Sequence, residues 1–153
     1  MQKNFPDGLW RHQGKAIKSV LAGLDTVITT KTSSGKSLVF TLPAVQKIFD
    51  DKNSCSLFLY PTKAVTNDQL NFVKNFLKSV GLAHIWAEKY DGSTAKDYRK
   101  TVRDNVQIVL TNPDMLHVGI LNNHDRWKRF FSNLRIIAVD EAHEYRGIFG
   151  ANV

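Results

Sequence analysis

The chain has 153 residues, 42% hydrophobic and 23% charged, proportions that suit one folded domain and exclude a disordered tail. No apolar run reaches the roughly 18–20 residues of a membrane-spanning helix, and the first residues lack the apolar stretch of a secretory signal. The one cysteine, Cys55, excludes an internal disulfide and fits a reducing compartment, and the 21 Lys and Arg against 14 Asp and Glu give a formal charge of +7, which suits either a polyanionic partner or a merely solvated surface.

In chain order, residues 15–22 carry a helical pattern and residues 26–30 (TVITT) read as a strand. Residues 37–49 follow as a helix that Pro43 is expected to kink. Residues 56–60 (SLFLY) are a second strand. In residues 62–80 the apolar positions Val65, Phe72, Val73, Phe76, Leu77 and Val80 recur at three-and-four spacing, a helix with one buried face. The more polar run 85–90 suits an edge strand. Residues 97–103 form a short helix, 107–111 (QIVLT) a strand, 113–121 and 126–131 two further helices, and 135–140 (RIIAVD) the last strand. Most of these strands are continuously apolar, as expected when helices cover both faces of a parallel sheet. The alternation predicts a single α/β domain with a mostly parallel sheet flanked by helices.

Ligands of such sheets bind beyond the carboxyl ends of the strands. Each predicted strand here ends in a polar, turn-forming cluster: TKTSSGKS, PTKA, DGS, TNPD and DEAH. The segment Thr30–Ser37 fits a phosphate-binding loop between strand and helix, with Thr30 where the stricter pattern has glycine. Thr32, Ser33, Ser34 and Gly35 are small enough for backbone N–H groups to wrap a phosphate, helped by the following helix N-terminus. Lys36 would place its charge on the β and γ phosphates, and the Ser37 hydroxyl would ligate Mg²⁺. A turn with a capping serine gives the same short pattern. Asp140 at the end of an apolar strand is suited to hold hydrated Mg²⁺, and Glu141 to orient and deprotonate a water. Adjacent acids also favour a helix N-terminus.

TKTSSGKS, PTKA, TNPD and DEAH, in that order, resemble the motif series of superfamily 2 helicases of the DEAD/DEAH-box type. The resemblance runs from about Leu9 to the end. LWRHQ, LYPTKAVTNDQ, YDGST, TNPDMLH and DEAHEYRGIFGANV are similar to the DNA helicases related to the mitomycin repair factor and its RecQ4-like relatives. The resemblance implies the first RecA-like P-loop NTPase domain of an ATP-dependent motor, with ATP and Mg²⁺ as cofactors and a nucleic acid, DNA favoured over RNA, as partner. It implies a cytoplasmic location, nucleoid-associated in a bacterium or nuclear in a eukaryote, and no membrane.

Laid on matching positions, the resemblance makes Gln13 the reader of adenine, since one amide both donates to and accepts from a base edge. Trp10 or Arg11 would stack on the ring, although an aromatic at a helix start also serves as core. Lys36, Asp140, Glu141 and His143 become the catalytic set, His143 coupling nucleotide state to the rest of the motor. Thr62 and Lys63, and Thr111 and Asn112, would meet backbone phosphates, with helix capping as the plain alternative for each. Gly92 and Ser93 carry less. The spacing of Lys96, Arg99, Lys100 and Arg103 makes one basic stripe on a helix, either a nucleic-acid track or a solvated outer face.

The family pattern continues with a Ser-Ala-Thr-like motif and a second RecA-like domain bearing an arginine finger, and the sequence stops at Val153 before either. The domain is therefore expected to be incomplete at its C-terminus, to expose apolar surface where sheet strands are missing, and to be nearly inactive alone. Two other readings fit the same motifs: a nucleotide-dependent switch that binds nucleic acid without productive unwinding, and the translocase subunit of a restriction or antiviral system.

Overall fold

The computed structural model describes residues 8–29 and 35–145. Thr32, Ser33 and Ser34 of the expected phosphate loop lie outside them, as does Thr30.

Among the described residues four strands, β1 (Cys55–Leu59), β2 (Ala87–Lys89), β3 (Ile108–Thr111) and β4 (Leu134–Val139), form one sheet in the order β2-β3-β1-β4. All three pairings are parallel. The helices are α1 (Arg11–Leu21), α2 (Ser37–Asp50), α3 (Lys63–Ser79), α4 (Lys96–Asn105), α5 (Pro113–Met115) and α6 (Lys128–Ser132). The α/β architecture read from the pattern is the one observed. Helix α2 runs through Pro43, whose ring is buried.

The two faces of the sheet explain why the central strands are mostly apolar. On one face Phe58, Tyr60, Ile108, Leu110, Ile136 and Ala138 pack against α2 and α3 through Leu38, Ile48, Val73 and Leu77. On the other, Cys55, Leu57, Leu59 and Val109 meet Val102 of α4 and an aromatic cluster of Trp127, Phe130 and Tyr90. Every residue of β1 and β3 is buried. Each large side chain so buried is worth about 1.5–3 kcal/mol, which no polar residue at these positions would supply. Ala16 and Ile17 dock α1 on Val39 of α2 as a satellite cluster. Burial pushes the Cys55 thiol up, so it stays protonated and packs as a small apolar group.

Three expectations are corrected. Residues 26–29 carry no regular structure, and Val27 is 91% exposed. A strand exists only through its partners, and among the described residues none pairs with this segment. Residues 113–121 do not make one helix. Three residues of α-helix pass into a π-helical turn (Leu116–Ile120), and a 3₁₀ stretch (Leu121–Trp127) kinks at Asn123 before α6. Finally, β4 is not buried on both faces. It alternates, with Ile136 and Ala138 inward and Ile137 and Val139 60% and 42% exposed. Residues 85–90 do supply the edge strand expected of them, as β2.

Candidate functional site

Because all four strands are parallel, their carboxyl ends lie along one rim. Tyr60, Asp91, Asn112 and Asp140 follow or nearly follow these ends, and the ladder extends past the strands to fix them. Tyr60 N–H donates to Thr111 O at 3.0 Å, Tyr90 N–H to Leu110 O at 2.8 Å and Asp140 N–H to Leu59 O at 3.0 Å.

The acidic cluster after β4 is built on a strained residue. Glu141 has φ 49° and ψ 46°, the one non-glycine in the left-handed region among the described residues. That conformation turns the chain sharply out of β4 and costs on the order of 1–3 kcal/mol in a non-glycine residue. The turn aims two carboxylates differently. Asp140 Oδ1 accepts from Glu141 N–H at 3.0 Å. Glu141 Oε1 lies 3.5 Å from Lys36 Nζ, and its other oxygen lies 3.3 Å from His143 Nδ1. His143 Nε2 in turn lies 3.2 Å from Glu144 Oε1, so the exposed imidazole sits between two carboxylates.

Burial pushes the Asp140 carboxyl above the usual carboxylate range, reinforced by Glu141 and opposed by the Glu141 N–H and by Lys36. Burial and the same two carboxylates push the Tyr145 phenol up to about 12, and the buried Tyr60 phenol is raised as well, so both stay protonated. A dication would reverse the penalty on Asp140.

On the basic side, Gly35 has φ +66°, and a Cβ there would collide with Gln13 Nε2. The glycine at this point of the loop is thus required twice, for its conformation and for the approach of α1. Gln13 is nearly buried. Its Nε2 donates to Gly35 O at 3.1 Å and its Oε1 accepts from Trp10 N–H at 2.9 Å. The side chain expected to read adenine is therefore engaged with the loop, holding Trp10 and Gly35 together. Trp10 itself is 54% exposed. Ser37 opens α2, and its hydroxyl donates to Gln69 Oε1 of α3 at 2.8 Å. Gln69 closes the run LYPTKAVTNDQ that carries the resemblance, but sequence reasoning gave it no role, since no local pattern marks a partner 32 residues away.

The donor set fits Mg²⁺. No cluster of three His, Cys, Asp or Glu able to hold a metal exists among the described residues. A hydroxyl from Ser37 and a carboxylate from Asp140 are the hard oxygen donors with which Mg²⁺ is held when phosphates and waters complete the shell.

The second half of the rim carries the expected nucleic-acid residues. Thr62 caps α3, its Oγ1 accepting from Val65 N–H at 3.3 Å, while Lys63 is exposed and its Nζ approaches Gly92. Asn112 caps α5 through Met115 N–H at 2.9 Å, with Pro113 in the first turn. Thr111 is placed otherwise: fully buried, its hydroxyl donates to Tyr90 O at 2.6 Å and locks β3 to the end of β2. It presents nothing at the surface for a phosphate. In the turn after β2, Asp91 Oδ1 accepts from Ser93 N–H and Oγ–H at 2.7 and 2.6 Å. Burial opposes the Asp91 charge, but these hydrogen bonds and the charges of Lys89 and Lys63 outweigh it and hold the carboxyl below its usual range.

The basic stripe on α4 divides. Arg99 faces inward, its Nε donating to Thr94 O at 3.0 Å and its guanidinium lying over the Tyr90 ring. Lys100 is exposed and pairs with Asp104 at 2.7 Å. Arg129 is also structural, tying α6 to the end of α4 through Val106 O at 2.6 Å.

Comparison with known proteins gives these positions a context. The family model described as DEAD/DEAH box helicase matches residues 10–153. The chain is 41% identical over 153 residues to the uncharacterized ATP-dependent helicase YprA of Bacillus subtilis, covering all of this chain and 20% of that protein. It is 39% identical over 148 residues to the ATP-dependent helicase HRQ1 of Saccharomyces cerevisiae, covering 96% of this chain and 14% of that one. The crystal structure of the DUF1998 helicase MrfA bound to DNA and AMPPNP superposes with a TM-score of 0.92 at 41% identity, over 98% of this chain and 21% of that chain. The chain thus spans a fifth or less of the length of these two relatives.

Proposed function

The chain belongs to the DEAD/DEAH box helicase family, and from that premise we propose that it is the ATP-binding part of the first RecA-like motor domain of an ATP-dependent helicase or translocase acting on DNA. The observation that carries the reading is the meeting of Lys36 and Glu141 at 3.5 Å on the strand-end rim, with the half-buried Asp140 next in the chain. DNA is favoured over RNA because a structure 41% identical to this chain is described as bound to DNA and AMPPNP. The place of work is wherever cellular DNA is held, and no helix of the described residues is long and apolar enough to cross a membrane.

Lys36 offers a point charge to the terminal phosphates as they displace Glu141 from it. Ser37 and Asp140 would hold Mg²⁺, which would supply positive charge against the negative charge that develops on the phosphates. Glu141, released from Lys36, takes a proton from the attacking water. Its second oxygen remains next to His143, so movement of the carboxylate is passed to the exposed imidazole. Thr62, Lys63 and Asn112 occupy the same rim and hold a nucleic-acid backbone through the capped helix ends and the Lys63 ammonium. The remaining catalytic charge, an arginine worth about 10³–10⁵ in rate at related sites, is assigned to a second domain of the full-length protein.

The test is ATP hydrolysis by the full-length protein, titrated with single-stranded DNA and then RNA, with Glu141→Gln as control. Hydrolysis that rises with DNA and is lost in the variant is the expected result. Nucleotide binding with no stimulation by either polymer would replace the motor by a nucleotide-dependent switch.

A further inference from the structure

Helix α3 touches the nucleotide site at a position that neither the strand-end clusters nor the catalytic set accounts for. Ser37 and Gln69 are 32 residues apart, yet the Ser37 hydroxyl lies 2.8 Å from Gln69 Oε1. A carboxamide oxygen only accepts, so the serine donates its proton to Gln69 and keeps its oxygen lone pairs for another partner. Without such an acceptor the O–H rotates and its lone pairs have no fixed direction.

Gln69 is itself held. It is partly buried, and Leu70 and Val73 of the same helix lie in the core beneath the sheet's α2 and α3 face. Two residues earlier, Asn67 Oδ1 accepts from Lys89 Nζ at 2.8 Å, and Lys89 reaches Asp91 at 3.8 Å. One rigid helix therefore holds the Ser37 hydroxyl at its middle, the turn after β2 through Asn67, and Thr62 and Lys63 at its start.

We propose that Gln69 is a positioning residue for Mg²⁺: it fixes the Ser37 O–H so that the serine oxygen faces the metal, and it ties that ligand to the helix whose first turn meets nucleic acid. The inference rests on the reading of Ser37 as a metal ligand given above. Partners of this kind orient ligands directly bound to a metal, and losing one typically weakens metal affinity about 10- to 100-fold.

The experiment uses the full-length protein and a fluorescent, non-hydrolysable ATP analogue, with binding followed as Mg²⁺ is titrated. Gln69→Leu keeps the bulk but removes the acceptor, and should raise the Mg²⁺ concentration for half-maximal binding about 10- to 100-fold. Gln69→Glu keeps an acceptor oxygen at the same reach and should restore the midpoint. Binding at saturating Mg²⁺ should be alike in all three proteins. An unchanged midpoint in Gln69→Leu, while the unaltered protein shows one, would overturn the proposal and leave the nucleotide site standing. Equal loss of binding in both variants at every Mg²⁺ concentration would also overturn it, because Gln69 would then be packing alone. Failure of the unaltered protein to bind the analogue at any Mg²⁺ concentration would remove the nucleotide site itself.

Discussion

Lys36 Nζ stands 3.5 Å from Glu141 Oε1, so the cation at the end of the phosphate loop and the acid after β4 neutralise each other across the rim. In the proposed function a terminal phosphate would compete with Glu141 for the same ammonium, making nucleotide arrival and release of that carboxylate one event.

Glu141→Gln should lower ATP hydrolysis by the full-length protein by about 10²–10⁴, the range ascribed to a positioned base. Nucleotide affinity should be kept or improved, because the amide no longer competes for Lys36. Phosphate release and equilibrium binding, measured side by side, check both halves. Lys36→Ala should do the reverse and abolish binding first.

The two rim aspartates should respond to pH with opposite signs. Folding raises the Asp140 carboxyl, so the folded chain holds that proton more tightly than the unfolded one. Its ionisation opposes folding, and stability falls as pH rises from the ordinary carboxylate range through the raised value. Asp91 is lowered, so its contribution is full above the ordinary range and is lost as pH falls through the lowered value. Melting curves from neutral to acid pH should show Asp140→Asn more stable than the parent at pH 7 and Asp91→Asn less stable. The Asp140 difference should close as pH falls back to the ordinary carboxylate range, the Asp91 difference only as pH falls on through its lowered value.

Thr62 and Lys63 are neighbours with separable roles. Thr62→Ala removes the α3 cap and should cost about 1 kcal/mol of unfolding free energy. Lys63→Ala touches no cap; it should leave stability within about 0.5 kcal/mol. Instead it should weaken nucleic-acid binding and reduce the salt slope by about 1. Denaturant unfolding and binding at graded salt distinguish the two.

Within the α4 stripe, Arg99→Ala strips a charged donor from the turn after β2 and should cost about 2 kcal/mol, as hydrogen bonds to charged groups do. Lys100→Ala breaks an exposed pair with Asp104 and should cost no more than about 0.5 kcal/mol. Equal losses in chemical denaturation would mean that Arg99 does not hold the turn.

Those two residues also show what a sequence can tell and where it stops. Spacing put Lys96, Arg99, Lys100 and Arg103 on one side of a helix, and α4 does form there. Spacing does not say which member of a stripe curls inward, and Arg99 does so because the carbonyls of Asp91 and Thr94 lie within its reach. The apolar runs of β1 and β3 were legible because burial on both faces leaves little room for polar residues. The run at 26–29 is β-branched at every position, but pairing is a property of two segments and cannot be read from one. Thr111 looked available because it ends a strand, yet β2 lies close enough for Tyr90 to take its hydroxyl. The contact of Gln69 with Ser37 was not legible for the same reason, since it exists only where α2 meets α3.

The link from Gly35 through Gln13 to Trp10 gives the domain an intrinsic optical probe. Trp127 is fully buried among other rings and Trp86 sits beside the sheet's far edge, but Trp10 is half in solvent and tied by one amide to the loop that precedes Lys36. A rearrangement that withdraws Gly35 O breaks one hydrogen bond of Gln13, the side chain that accepts from the Trp10 N–H. The Trp10 share of the emission, separated from that of Trp86 and Trp127 by comparison with a Trp10→Phe variant, would then report movement at Gly35 with no label attached.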